Sequence, residues 1–273
     1  MSGRRRAPAP RAGGRATSRE SPLRIGTSGY QYRHWRGVLY PEGLAQKDWL
    51  PHYARHFDTV ELNATFYRLP TPEAVQRWRA AVPPRFTFAV KGSRYLTHMK
   101  RLLDSGEGLT RFFGPLSRLG TKLGPVLWQL PPRFAPDLER LDRFLSRLPP
   151  GRHAVEFRDE AWYADAVCDV LERHGAAFCE HDRVARAPPR LTGGWRYVRF
   201  HGPAGGYTGR YGPERLRPWA EDLLAWAAAG RAAWVYFNND LGGHAVHDAL
   251  GLLRMIAGDQ PGTRPAPDLG APA

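Results

Sequence analysis

Short apolar runs alternate with longer segments of helical periodicity between residues 23 and 257. A pattern of this kind predicts repeated βα units built around parallel strands. Successive runs start roughly one βα unit apart, which leaves room for a crossover helix between strands. Eight strands are predicted, at residues 24–29, 59–65, 87–92, 124–130, 153–158, 176–182, 196–201 and 232–239.

Helical patterns fill most of the gaps between these strands. Seven helices are predicted, at residues 46–57, 72–81, 109–119, 136–148, 160–174, 213–229 and 243–257. The gap at 183–195 contains prolines and glycines and has no helical pattern. Eight strands with seven helices predict an α/β fold, a single TIM (β/α)8 barrel in which the unit after the sixth strand is degenerate.

The two ends of the chain differ from its middle in composition. Residues 1–22 are rich in Arg, Pro and Gly, and residues 258–273 are similar, so we predict disordered tails around a barrel domain at 23–257. The formal net charge of +14 would permit weak, non-specific contact with nucleic acid. An arginine-rich composition without any such partner is the simpler interpretation of the same charge.

The cysteine content and the length of the apolar segments indicate the cellular compartment. Cys168 and Cys179 are too few for a disulfide framework and do not form a Cys-x-x-Cys pair. No run approaches the ~18 apolar residues of a membrane span, and no apolar segment follows the first arginines as an export signal requires. We therefore expect a cytoplasmic protein that does not contact a membrane, with its oligomeric state left open.

Alternation along the strands separates apolar from polar positions. In a barrel one face of each strand packs under the helices, so the alternate residues point inward. In the sixth strand Glu180 and Asp182 share one parity and His181 has the other. Alternation alone does not decide which of the two sets points inward in this strand. The polar residues of inward parity elsewhere are Glu61, Asn63, Lys91, Gln129, Glu156, Arg158, Arg199, His201, Tyr236 and Asn238.

Nearly all of these polar residues occupy the last positions of their strands. The carboxyl ends of the strands are where barrel enzymes place their active sites. Buried charges are costly unless they pair with one another or bind something. The set therefore indicates a ligand site, with a neutralised ion network as the alternative.

Seven segments together resemble the YecE-like family, a set of uncharacterised barrel proteins. The resemblance covers roughly residues 23–257 and implies a TIM-barrel fold, but it carries over no activity or catalytic residue. One departure is Tyr30, where such proteins often carry Trp. The motifs are GTSGYQYRHWRGVLYP at 26–41, VELNATFYRLP at 60–70, FAVKGSRYLTH at 88–98, LGPVLWQLPPRF at 123–134, AVEFRDEAW at 154–162, VRFHG at 198–202 and YFNNDLGGHAV at 236–246.

The candidate catalytic residues are Glu61, Lys91, Glu156 and His201. Two carboxylates beside an ammonium can have their pKa values pushed apart, which gives one proton donor and one acceptor. Lys91 could instead form a Schiff base with a carbonyl, or could simply be the salt-bridge partner of Glu61 or Glu156. The candidate ligand-binding residues are Asn63, Tyr67, His98, Gln129, Arg158, Arg199, Tyr236, Asn238 and Asn239.

Glycine-rich loops follow the seventh and eighth strands. Loops in these positions commonly bind phosphate in TIM barrels, with backbone N–H groups at a helix N-terminus facing the anion. A flexible lid that binds no anion is the alternative. The predicted phosphate-binding residues are Gly205, Gly206, Arg210, Gly242 and Gly243.

The preferred hypothesis is an enzyme of hydrolase or isomerase type, without cofactor or bound metal, that binds a small anionic or phosphorylated ligand at these strand ends. One rival is a metal-dependent phosphodiesterase or nuclease. The metal ligands in that case would be Glu61, Glu156, His181, Asp182 and His201, although no His-x-His or His-Glu-x-x-His motif supports them. Another rival is a non-catalytic nucleic-acid-binding protein that uses the arginine-rich tail.

Overall fold

The computed structural model describes residues 22–258. Apart from Pro22 and Gly258, both predicted tails lie outside the described residues. The nucleic-acid-binding role considered for the first tail lies outside them too. Within 22–258 the strands are β1 (Leu23–Thr27), β2 (Thr59–Leu62), β3 (Thr87–Lys91), β4 (Leu123–Gln129), β5 (His153–Glu156), β6 (Ala177–Phe178), β7 (Glu180–His181), β8 (Arg196–Phe200) and β9 (Ala233–Phe237). The α-helices are α1 (Trp49–Tyr53), α2 (Ala64–Tyr67), α3 (Pro72–Ala80), α4 (Ser105–Leu116), α5 (Leu138–Leu145), α6 (Asp165–Arg173), α7 (Gly212–Ala228) and α8 (His244–Ala257).

Each predicted strand lies where a strand or a strand pair forms. The sixth is interrupted at Cys179, so it appears as β6 and β7. All seven predicted helices are present, although the first is shortened to α1 behind a 3-10 turn at Gln46–Asp48. The helix α2 and the π-helical turn Tyr95–Met99 were not predicted, because both lie inside segments interpreted as strand ends and loops.

The strands pair in parallel and divide into two sheets. One has the order β1-β9-β8-β7, and the other has the order β2-β3-β4-β5-β6. In both sheets neighbouring strands run in the same direction, so their carboxyl ends lie on one side. The architecture is α/β with parallel sheets, and the hydrogen-bond ladders do not form one continuous ring within the described residues.

Inward and outward strand residues form two separate buried layers. The larger layer contains the outward residues, such as Val60, Phe88 and Val235, packed under the helices. The smaller layer holds the residues of opposite parity, which are Ala89, Leu127, Ala154, Ala177, Cys179, Trp195, Tyr197, Trp234 and Tyr236. Cys179 belongs to this inner layer. In the sixth predicted strand the inward-facing positions are therefore those of Cys179 and His181, and Glu180 has the outward parity.

Residues 182–195, between β7 and β8, contain no helix, as the sequence predicted. Thr192 anchors this segment instead. Its hydroxyl accepts a hydrogen bond from the Phe178 N–H at 2.9 Å and donates one to the Ala176 carbonyl at 2.7 Å. Within residues 22–258, no helix is both long and apolar enough to cross a membrane.

Candidate functional site

Arg199, on β8, joins two carboxylates from the other sheet. Its Nη2 donates to Glu61 Oε1 at 2.7 Å, and its Nη1 donates to Glu156 Oε2 at 2.6 Å. All three side chains are fully buried. We call Glu61, Lys91, Glu156, Arg158, Arg199 and His201 the polar ring. The neutralised ion network considered from the sequence is therefore present in part, with Arg199 at its centre.

Glu61 is held by three donors. Besides Arg199, the Tyr197 hydroxyl donates to Oε2 at 2.6 Å, and the Ser28 hydroxyl donates to Oε1. Sequence reasoning missed Tyr197 and Ser28. Tyr197 shares the parity of Arg199, and Ser28 lies directly after β1, so strand alternation was the signal that could have found both.

Glu156 is an ionised carboxylate. Burial alone would raise its pKa, but Arg158 and Arg199 hold the pKa of Glu156 well below its ordinary value. The Arg158 Nε donates to Oε1, and Arg199 donates to Oε2. Both oxygens are thus engaged by guanidinium groups, so Glu156 is a counter-ion and is not free to accept a proton from a ligand.

His201 is a neutral imidazole of defined tautomer. Its Nε2 lies 3.0 Å from Arg158 Nη2 and 3.1 Å from Arg199 Nη1, and its Nδ1 lies 2.9 Å from Asp182 Oδ1. Arginine can only donate, so Nε2 accepts and the proton resides on Nδ1, facing Asp182. Burial lowers the pKa of His201 to about 4. His201 therefore positions the two arginines, and both of its nitrogens are occupied.

Lys91 has no carboxylate partner. Among residues 22–258 none lies within 4 Å of its Nζ, so the predicted salt bridge with Glu61 or Glu156 is wrong: Arg199 takes that place. The ammonium instead lies 4.3 Å from the centre of the Phe66 ring. Burial and then the charge of Arg199 lower the pKa of Lys91 to about 8. Its side chain is still partly exposed.

His98 contacts the same aromatic ring. Its imidazole meets Phe66 edge to face at 5.0 Å, and its Nδ1 lies 2.9 Å from the Thr97 hydroxyl. Burial, followed by the charges of Lys91 and Arg94, lowers the pKa of His98 to about 4. The neighbour of Lys91 is therefore a neutral imidazole.

The predicted amides and the exposed tyrosine surround this centre. Asn63 Nδ2 donates to Ser28 Oγ at 2.6 Å, while its buried Oδ1 has no partner among the described residues. Gln129 Nε2 makes only a long contact of 3.4 Å with the Leu130 carbonyl. Tyr67 is 80% exposed. Asn63 and Gln129 thus retain capacity for a ligand, whereas Tyr67 does not contact the polar ring.

Three predicted ligand-binding residues near the end of β9 have other surroundings. Tyr236 is fully buried in the inner layer, with its hydroxyl 2.7 Å from Thr59 Oγ1. Asn239 Nδ2 donates to the Gly209 carbonyl and to Asp248 Oδ2, both at 2.8 Å, so it fastens a loop to α8. Asn238 is nearly buried. Tyr236 lies too deep for a ligand because its hydroxyl points below the strand ends.

The predicted phosphate cradle already uses several of its donors. The Gly243 N–H donates to the Asp240 carbonyl at 2.9 Å, and the Gly205 N–H donates to the Gly202 carbonyl at 3.1 Å. Arg210 Nε lies 4.0 Å from Asp248. Gly206 and Gly242 have positive φ angles of 57° and 71°, which explains glycine there through backbone conformation. These contacts favour a structural role for the two loops.

The predicted metal ligands do not converge. Within residues 22–258 no group of three or more His, Cys, Asp or Glu side chains is arranged to hold a metal ion. Arg199 stands between Glu61 and Glu156, and His181 Nε2 lies 2.8 Å from the Phe157 carbonyl. Guanidinium groups occupy the positions in which a cation would bind these carboxylates.

A known family covers most of the chain. The family described as "Protein of unknown function DUF72" matches residues 24–270, so the chain belongs to the DUF72 family. The resemblance to YecE-like proteins is confirmed by the curated relatives. UPF0759 protein YecE of Escherichia coli (strain K12) is 38% identical over 117 residues, covering 42% of this chain and 43% of that protein, so the match spans less than half of that relative's length.

Other relatives match over a greater length. UPF0759 protein YunF of Bacillus subtilis (strain 168) is 26% identical over 266 residues, covering 83% of this chain and 93% of that protein. A solved DUF72 family protein of Thermotoga maritima has a TM-score of 0.77 and 30% identity, covering 86% of this chain and 99% of that one. A solved DUF72 family protein of Enterococcus faecalis has a TM-score of 0.72 and 21% identity, covering 89% and 98%. The fold is shared, and function has to be argued from the site.

Proposed function

We propose that this chain is an enzyme that binds a small anionic ligand at the carboxyl ends of its strands, next to Lys91. The observation that carries the proposal is the ammonium of Lys91, which lies among charged groups without a carboxylate partner in the described residues. A lysine in that position is costly unless something else balances its charge. A ligand anion is the group that would do so.

The charge balance of the polar ring supports an anionic ligand. Three cations, Lys91, Arg158 and Arg199, are matched by only two carboxylates, Glu61 and Glu156. The nearby Asp182 accepts hydrogen bonds from the His201 Nδ1–H and the Tyr211 hydroxyl and has no ion pair with Lys91. Among the described residues Lys91 is therefore the cation of the polar ring without a carboxylate contact, and a ligand carboxylate or phosphate beside it would balance its charge.

The chemistry this arrangement favours is proton transfer at a bound ligand. Lys91, with its lowered pKa, can give or take a proton near neutral pH, and His98 is a neutral imidazole beside it. Arg158, whose side chain is partly exposed, would hold the ligand's charge, while Asn63 Oδ1 and Gln129 offer polar contacts. Isomerisation or hydrolysis of a small anionic substrate is the reaction type that these groups support.

We also propose that the two sheets are arcs of a single (β/α)8 barrel. Ser28 and Glu61 form a parallel bridge, and the Gly29 N–H donates to the Glu61 carbonyl at 2.8 Å, so β1 and β2 are joined. At the other junction, β6 and β7 are separated only by Cys179. A cytoplasmic location is a further proposal, and it rests on the two buried free thiols.

Calorimetric titration with inorganic phosphate tests the ligand class. The wild-type chain should bind phosphate, and Lys91→Met should weaken binding at least tenfold. Lys100→Met is the matched control, because Lys100 lies 3.9 Å from Asp104 and outside the polar ring, so it should bind as the wild type does. Equal binding by both variants, or none by the wild type, would contradict the proposal.

Turnover tests the enzymatic part. Phosphorylated sugars and 2-oxo acids can be incubated with the protein and followed by NMR for new products. We expect a product that the wild type forms and that both Glu61→Gln and Lys91→Met fail to form, with circular dichroism verifying that each variant is folded. If both variants left phosphate binding and turnover unchanged, the assignment of the site would be wrong.

A further inference from the structure

Lys91 has the surroundings of a nucleophilic amine. Its Nζ lies against the face of Phe66, and none of residues 22–258 is within hydrogen-bond or ion-pair distance of it. Burial and the neighbouring cations Arg199 and Arg158 favour the neutral amine over the ammonium, which is how reactive lysines are activated in proteins. The side chain is also partly exposed.

The other three lysines of the chain do not combine these features. Lys122 Nζ donates to the carbonyls of Arg79 and Val82 at 2.7 and 2.6 Å, so its nitrogen is occupied. Lys100 pairs with Asp104, and Lys47 is exposed to solvent. Lys91 alone combines an apolar contact, cationic neighbours and a position at a strand's carboxyl end.

We propose that Lys91 forms an imine with its ligand, and that the substrate class is an aldehyde or ketone carrying a carboxylate or phosphate. The proposal rests on the proposed function, because it uses the same site and names what binds there. The carbonyl carbon would lie at Lys91 Nζ, and the anionic group would face Arg158, whose side chain is partly exposed.

The step conserves atoms and electrons without an oxidant or a reductant. The lone pair of the neutral Lys91 amine forms a bond to the carbonyl carbon, and the electrons of the C=O π bond move to oxygen, which takes a proton. The nitrogen gives up one proton as the oxygen takes one, which yields the carbinolamine. Its C–O bond then breaks as the hydroxyl takes a second proton and leaves as water, while the nitrogen gives up its remaining proton and its lone pair forms the C=N bond. His98 is the group that would pass protons in both stages, because its imidazole is neutral and contacts the same Phe66 ring as Lys91.

The lowered pKa makes the reaction feasible near neutral pH. With a pKa of about 8, roughly a quarter of Lys91 is neutral at pH 7.5, whereas an ordinary lysine is neutral in only about one molecule in a thousand. Selective labelling among the four lysines is therefore the expected signature.

Borohydride trapping tests the inference. The full chain is incubated at pH 7.5 with pyruvate or glycolaldehyde phosphate, reduced with sodium cyanoborohydride, and mapped by peptide mass spectrometry. We expect labelling of Lys91 at least tenfold above that of Lys47, Lys100 or Lys122. Propionaldehyde, which has no anionic group, should label Lys91 less than the anionic carbonyl compounds do at the same concentration, and inorganic phosphate should protect Lys91 in the wild type against the anionic compounds.

Three results would overturn the inference. The anionic carbonyl compounds could label the four lysines evenly, they could leave Lys91 unreacted, or propionaldehyde could label Lys91 as strongly as they do. The variant Lys91→Arg should lose the adduct, and the phosphate competition needs only the wild-type chain, so the test does not depend on that variant folding. If phosphate binds in a Lys91-dependent way but no adduct forms, the imine is excluded and the anion site stands. If phosphate binding is also missing, both proposals fail.

Discussion

Arg199 on β8 donates a hydrogen bond of 2.7 Å to Glu61 on β2, and both side chains are completely buried. The contact crosses from one parallel sheet to the other, since β8 and β2 belong to different sheets. A buried ion pair of this kind does little for stability compared with apolar packing, but removing one partner leaves a buried charge uncompensated. The pair therefore fixes the relative position of the groups that surround Lys91.

Removing the arginine should destabilise the protein strongly. Arg199→Met leaves Glu61 and Glu156 as neighbouring buried carboxylates, so we expect a loss of about 3–5 kcal/mol in the free energy of unfolding. Urea denaturation measures it. Arg143→Met, which breaks the exposed pair with Glu139, is the control and should cost much less. Similar losses in the two variants would show that the central arginine is not a buried counter-ion.

The close approach of β1 and β2 gives a second prediction. A Cβ on Gly26 would lie 2.3 Å from the Thr59 carbonyl oxygen, so Gly26→Ala forces the two strands apart. We expect a loss of at least about 1–3 kcal/mol, the usual range for overpacking. Gly43→Ala is the matched control, because a Cβ there meets nothing within 4 Å. Equal thermal unfolding temperatures for both variants would contradict this contact between the sheets.

His201 makes stability depend on acid pH. Its pKa is lowered to about 4 in the folded chain, whereas the unfolded chain takes up this proton near pH 6.5. The unfolded state therefore binds more protons between these values, so stability falls as the pH drops from about 6.5 to about 4. At pH 5 proton uptake by His201 in the unfolded chain lowers the free energy of unfolding by about 2 kcal/mol.

Urea unfolding at pH 7 and pH 5 checks this prediction. The wild type should lose more stability between the two pH values than His201→Gln does, because the variant has no proton to take up at this position. The same loss in both proteins would mean that His201 is not held neutral by burial.

Lys91 should make the stability of the protein depend on alkaline pH. Its folded pKa of about 8 lies below the unfolded value near 10.5, so its buried charge costs stability fully below pH 8. That cost disappears as the pH rises towards 10.5. Lys91→Met should therefore be more stable than the wild type at pH 7, by a margin that shrinks between pH 8 and pH 10. A margin that is absent at pH 7 would contradict the desolvation of this lysine.

Strand alternation explains why much of the fold and the site could be predicted. Glu61, Lys91, Glu156 and Arg199 were recognised because each interrupts an apolar strand at its carboxyl end, and period-2 alternation makes such residues face inward. The gap between the sixth and seventh strands was recognised because prolines and glycines exclude a helix there. Both signals are local, so the sequence alone contains them.

Pairing between distant residues could not be predicted in the same way. Whether Glu61 meets Lys91 or Arg199 depends on side-chain length and on strand stagger, and the sequence gives neither. The longer, forked guanidinium of Arg199 reaches both carboxylates, which leaves Lys91 unpaired. The predicted phosphate loops stay a prediction, because the positive backbone φ of Gly205, Gly206, Gly242 and Gly243 also explains glycine at these positions.

The titration of Lys91 by NMR tests the account most directly. The chain has four lysines, so the ε-carbon signals of protein labelled with 13C-lysine can be resolved and assigned with Lys91→Arg as the reference. We predict that Lys91 titrates near pH 8 and that saturating inorganic phosphate moves its pKa upward, because a bound anion favours the ammonium. A Lys91 that titrates near 10.5 and does not respond to phosphate would contradict the account.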